Sequence, residues 1–224
     1  MDCQRCGTCC EKGGPALHQA DQPLVEAGHI PAHCLFTIRC GELARDNIQD
    51  ALVPMTDEVI KIKGQKGRWT CWFYDYENRA CGIYAHRPLE CRVLNCRDTR
   101  KIEAVYATER LTRKDLLAQM QGVWELVVEH ESRCSYDHLR HLVEKGAVGK
   151  QLKMEAAILE IMRYDAHLRQ LTTEKGGLDA GMLDFIFGRP LDQTIGMFDL
   201  RLVKENGRYR LVPTAKFSGP GDQP

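Results

Sequence analysis

Cys3-Gln4-Arg5-Cys6-Gly7-Thr8-Cys9-Cys10 opens the chain with four thiols in eight positions. A two-residue gap lets a tight loop reverse and aim two thiolates at one centre. Three cysteines so spaced are what a loop wrapped around a metal ion or an iron–sulfur cluster requires. The adjacent pair fits less simply. Neighbouring side chains diverge, so Cys9 and Cys10 are expected to serve two centres, or one of them is an inert buried thiol.

Working outward, the next set is Cys71, Cys81, Cys91 and Cys96, at longer intervals. Alone it is a weaker signal. As the partner of the first loop it completes eight thiolates, enough for two tetrahedral zinc ions or for one or two iron–sulfur clusters. Arg87-Pro88 opens a short helix, because proline costs little at the first helical position. Cys91 then sits early in that helix. The helix terminus, with Arg87 and Arg92, is expected to favour its thiolate.

In all, 11 of the 224 residues are cysteine, and ten of them precede residue 97. The odd count, and an N-terminus with no apolar stretch of the signal-peptide kind, argue against a disulfide framework. A cytoplasmic address is the expectation. No apolar run reaches the ~18–20 residues of a membrane helix. Lys+Arg and Asp+Glu both total 31, so no whole-chain basic field for nucleic acid or anionic lipid exists.

Between the cysteines, Leu35-Phe36-Thr37-Ile38-Arg39 and residues 58–63 alternate as strands, and 69–74 and 80–84 are further candidates. Past residue 100 the period becomes helical. Thr112 with Asp115 forms a capping pattern. Leu116, Met120, Val123, Trp124 and Val127 share one face, Leu139 and Leu142 predict a helix ending near Gly146, and residues 150–172 predict a longer one. Asn206-Gly207 between two alternating runs predicts a terminal hairpin. The fold class is α+β: an irregular cysteine-rich metal-binding half with short strands (1–100), packed on a helical half ending in a β-hairpin (101–215). Residues 216–224 read as a disordered tail. The first half looks poor in ordinary core helices and is expected to unfold when stripped of metal.

The pattern Cys3-x2-Cys6-Gly7-x-Cys9-Cys10, then Cys71, then Cys81-Gly82-Ile83-Tyr84-x-x-Arg87-Pro88-x-x-Cys91-Arg92-x-x-x-Cys96, resembles the YkgJ-type CxxCxxCC cysteine-cluster family of zinc- or iron-chelating domains. The resemblance covers residues 3–96. It implies metal chelation by Cys3, Cys6, Cys9, Cys10, Cys71, Cys81, Cys91 and Cys96. Cys34 and Cys40 lie outside it and read as structural thiols. One branch of that family, flagellin lysine methylase, implies that the module can serve methyl transfer. Catalytic residues are not legible, and the common nucleotide, zinc-protease and hydrolase motifs are absent. The alternative to an enzyme is an interaction module whose fold the metal staples and whose helices carry a protein partner.

For the cofactor, zinc sites favour paired short knuckles, and only the first loop has them. The spacing therefore favours an iron–sulfur cluster slightly over zinc. Two weaker features complete the reading. His130, Cys134, His138 and His141 lie at helical spacing and suggest either a second metal site or an ordinary helix with Cys134 in the core. Lys61, Lys63, Lys66 and Arg68 beside Trp69, Trp72, Phe73, Tyr74 and Tyr76 suggest either nucleic-acid stacking or a charged hairpin with its aromatics buried, and the neutral net charge favours the second.

Overall fold

The structure is a computed structural model that describes residues 5–146 and 151–214. The strands are β1 (Leu35–Ile38), β2 (Leu43–Asp46), β3 (Ala51–Pro54), β4 (Val59–Ile62), β5 (Tyr74–Asp75), β6 (Ala80–Cys81), β7 (Leu200–Glu205) and β8 (Arg208–Pro213). They form two-stranded sheets: β1 with β4, β2 with β3, β5 with β6, and β7 with β8. With the helices they make a mixed α and β fold ending in a hairpin. No helix among the described residues is long and apolar enough to cross a membrane.

The chain divides into two compact units, and their segments alternate along the sequence. The first unit comprises Met1–Thr37, Val59–Gln121 and Gly181–Ile186. Its centre is β4, where Val59, Ile60 and Ile62 are buried. One side of β4 meets β1. On the other, the Leu17 N–H donates to the Ile60 carbonyl (2.9 Å) and the Ile62 N–H to the Pro15 carbonyl (3.1 Å). Residues 15–17 thus run beside β4, and they deliver the N-terminal cysteine segment to its site. Leu17, Ile30, Leu35, Leu111, Phe185 and Ile186 complete this core. The Thr37 hydroxyl donates to the Phe185 carbonyl at 2.7 Å, and Arg113 Nη1 to that of Ile186 at 2.8 Å.

The second unit comprises Ile38–Glu58, Gly122–Ala180 and Phe187–Pro224. The helices Tyr136–Gly146 and Gln151–Glu174 bury Tyr136, Leu139, Ile158, Leu159 and Met162 against Leu191, Ile195 and Leu211. Periodicity located both helices. It did not separate Arg113–Leu117 from Gln121–Cys134, where it showed one continuous helical face. The predicted capping box is present: the Asp115 N–H donates to Thr112 Oγ1 (3.3 Å) and the Thr112 N–H to Asp115 Oδ2 (2.8 Å). In the terminal hairpin, Asn206 (φ 49°) and Gly207 (φ 77°) take the left-handed backbone that a tight turn between twisted strands requires.

Beneath this core lies a buried ionic network. Asp165 Oδ1 accepts from His130 Nε2 (2.8 Å) and Arg169 Nε (2.9 Å), and its Oδ2 from the Leu191 N–H (3.0 Å). Desolvation opposes ionisation there, but His130, Arg169 and the Leu191 amide together pull the Asp165 carboxyl down to about 2. Arg39, fully buried, donates to the Cys134 carbonyl at 3.1 Å and stacks 4.4 Å over the Tyr136 ring.

Candidate metal centre

Gly7 decides the path of the first cysteine loop. It holds φ 83° and caps the one-turn helix Thr8–Glu11, whose Glu11 N–H returns to the Gly7 carbonyl at 2.9 Å. The first cysteine loop therefore contains a helical turn, and Cys9 and Cys10 ride on it. Both face one cavity. The turn rotates successive residues by about 100° rather than the 180° of a strand, so the adjacent pair shares one cavity wall.

The other cysteines come from the β5–β6 hairpin and the stretch before it, from the helix Leu89–Val93, and from the turn at Cys96 that the Asn95–Asp98 bridge closes. In the β5–β6 hairpin, Tyr74 pairs with Cys81. Cys71 precedes this hairpin, and its N–H donates to the Cys10 carbonyl at 2.7 Å, which ties the two cysteine stretches together. Cys91 rides on the helix Leu89–Val93. Pro88 has no side-chain cap to offer that helix. Instead Asp21, far back in the sequence, accepts the Leu89 N–H at 2.7 Å through Oδ1 and the His18 N–H at 3.0 Å through Oδ2. Next to Cys91, Glu90 turns away from the cavity and accepts the Ala16 N–H at 2.8 Å. His18 lies between the Thr108 carbonyl (Nδ1, 2.8 Å) and Glu90 (Nε2, 3.5 Å). Two acceptors facing one imidazole favour its protonated form, and its pKa is raised accordingly, chiefly by Glu90.

Together these elements enclose a cavity of about 120 Å³ lined by Cys6, Cys9, Cys10, Cys81, Cys91 and Cys96. That is several times the ~30 Å³ share of one water molecule. Cys71 is buried, and its charge is felt at Cys10 and Cys91. Seven of the eight cysteines singled out by the sequence thus belong to one neighbourhood, and Cys3 lies outside the described residues. None of the described cysteines is in a disulfide. No three Cys, His, Asp or Glu side chains among the described residues are close enough together to hold an ion as they stand.

The thiols are electrostatically unequal. The adjacent thiols Cys9 and Cys10 act on one another, which lowers Cys9 and holds Cys10 far up. Thr8 lowers the exposed Cys6. Burial pushes Cys71 up to about 11. Cys91 is also held high, by burial first and then by the thiols around it. Burial among other sulfurs thus opposes the thiolate that the helix terminus and its arginines favour at Cys91. A bound metal cation reverses this balance.

Four arginines also line the cavity: Arg5, Arg79, Arg87 and Arg97. Arg87 hydrogen-bonds neither a thiolate nor Glu90 among the described residues. Its Nε donates to the Tyr84 carbonyl at 2.9 Å and its guanidinium stacks 3.7 Å from the Tyr84 ring centre. Arg5 approaches the same ring at 4.1 Å. The spacing of the cysteines gave no sign of Arg5, Arg79 or Tyr84 as part of the site. Neither did it reveal the Asp21 cap, which depends on a contact 68 residues apart.

The weaker features resolve differently. His130 is buried against Asp165, Cys134 is buried and pushed up to about 12, and His138 and His141 are exposed. The suggested second metal site is thus not assembled among the described residues. Cys34 is a buried thiol as expected, whereas Cys40 is exposed and donates to the Thr56 carbonyl. Tyr74 enters the core, but Trp69, Trp72 and Tyr76 stay 41–48% exposed, so the aromatics of that hairpin are only partly buried.

No curated protein and no solved structure matches the chain. Residues 2–108, the stretch that carries every cysteine of the cavity, match the family model CxxCxxCC, "Putative zinc- or iron-chelating domain", and in that region the chain is similar to this family.

Proposed function

We propose that this protein holds one metal–thiolate centre in the cysteine cavity, drawing its ligands from Cys3, Cys6, Cys9, Cys10, Cys71, Cys81, Cys91 and Cys96. The observation that carries the reading is convergence. Segments 5–10, 71–81 and 91–96 meet at one cavity, and six thiols line it. Sulfur is the ligand of choice for zinc and for iron–sulfur clusters, and thiolates gathered in a partly buried site repel one another unless a cation sits among them.

Between the two metals, spacing supports iron–sulfur. Zinc sites favour paired short knuckles, and only the first loop has that spacing. One short-spaced loop with remote cysteines at 71, 81, 91 and 96 is nearer to a cluster-binding pattern. The bound centre would supply a cation that draws the thiols into their ionised form, and the iron form would add a redox couple. The chain's own residues supply the rest: Gly7 shapes the loop, Asp21 anchors the Cys91 helix, and the arginines offset thiolate charge.

Metal and acid-labile sulfide analysis of protein purified without oxygen tests this. Iron with matching sulfide and broad visible absorption is expected. Colourless protein carrying zinc would retain chelation and overturn the cluster. Protein that takes up neither metal would overturn chelation altogether.

A further inference from the structure

The geometry points to a second ligand at this cavity: a small molecule presenting a phosphate or carboxylate, held by Arg79 and Arg87 beside the metal–thiolate centre. The inference rests on the single centre proposed above. Among the described residues, four guanidiniums line the cavity and no aspartate or glutamate does. No acid in the lining therefore competes for the guanidiniums of Arg79 and Arg87.

The arginines are also placed to act as forks. Arg87 spends Nε on the Tyr84 carbonyl and lies against the Tyr84 ring, which fixes the guanidinium plane. Its two terminal nitrogens have no hydrogen-bond partner among the described residues. A planar pair of N–H donors matches a carboxylate or phosphate edge. Arg79 ends the loop between β5 and β6, two residues before Cys81, with φ 49°. Glycine adopts that backbone without cost, so an arginine there is a strained choice that sets a solvent-facing guanidinium at the rim. Arg5 is a second arginine in left-handed backbone (φ 55°) on the same cavity. The mixed lining, sulfur on some walls and guanidinium on others, suits an oxyanion seated next to a metal rather than a sealed structural centre.

The test is calorimetric titration of metal-loaded protein with inorganic phosphate and, separately, malonate, with metal content and visible spectrum recorded on the same samples. Arg79→Gly keeps the backbone comfortable and removes the fork. It is expected to weaken the better-bound anion roughly tenfold to hundredfold, the loss of one charged hydrogen-bonding partner, with metal content unchanged. Arg87→Lys keeps the charge but loses the planar fork and is expected to weaken binding as well. Metal-loaded protein giving no heat with either anion, or Arg79→Gly binding as tightly as the parent, would overturn the proposal while leaving chelation intact. A chain that takes up no metal overturns both.

Discussion

At the residue scale, Gly7 shows how little freedom the site allows. Its φ of 83° disfavours any side chain, and a Cβ there would run into the hydroxyl of the buried Tyr74. Gly7→Ala is expected to cost about 1–3 kcal/mol and to lower bound metal, read by thermal melting and metal stoichiometry. A second prediction concerns Asp165. Its folded pKa of about 2 lies below the ordinary 3.8. Its contribution to stability is therefore fully present above pH 4 and is lost as pH falls from there through 2, about 2 kcal/mol in all. Asp165→Asn leaves Arg169 and His130 facing an uncharged amide. It is expected to destabilise by about 3–5 kcal/mol and to flatten the acid limb of the denaturation curve. An unchanged acid limb would contradict the assignment.

Single elements bring the cysteines into place, and here the anchor is remote. Asp21 is fully buried and caps the helix Leu89–Val93 from the other end of the domain. Asp21→Ala is expected to cost about 1–2 kcal/mol and to speed amide exchange at Leu89 and metal loss to a chelator. If exchange rises but metal loss does not, the helix does not control Cys91. The same elements show what a sequence can and cannot convey. The long helices, the capping box at Thr112, the Asn206-Gly207 hairpin and the strands β1 and β4 follow from local rules, and each is where the rules place it. The hairpin β2–β3 was missed because Leu43–Asp46 and Ala51–Pro54 are short and lack a clean alternation. Trp69–Tyr74 read as a strand, yet it runs as turns, and only Tyr74 joins β5. The cysteines announced the site through spacing alone. Arg87 was legible beside Cys91, but Arg5, Arg79, Arg97 and the Asp21 anchor could not be read, because tertiary contacts select them.

At the scale of the whole molecule, the expectation that the cysteine-bearing half unfolds without metal meets a competing observation. The first unit has an apolar core of its own, with Leu17, Ile30, Leu35, Ile60, Ile62, Leu111 and Ile186 excluded from solvent. Chelation is therefore expected to loosen the cysteine-bearing stretches 5–10 and 71–97 first. Limited proteolysis of metal-free protein should cut there while β4 and its neighbours stay protected. Simultaneous loss of all protection would mean that the metal holds the entire unit.

The alternation of segments between the two units has a consequence for how the protein is born. Phe185 and Ile186 lie inside the core of the cysteine-bearing unit, where the Thr37 and Arg113 side chains bond their carbonyls. About 90 residues separate Cys96 from Ile186. At translation rates of ~5–20 residues per second, every cavity thiol is synthesised at least ~5–20 s before the last piece of its own core exists. During that interval the nascent chain offers open sulfur to whatever metal or oxidant the ribosome's surroundings contain, and the composition of that pool has the first opportunity to decide what the finished protein carries.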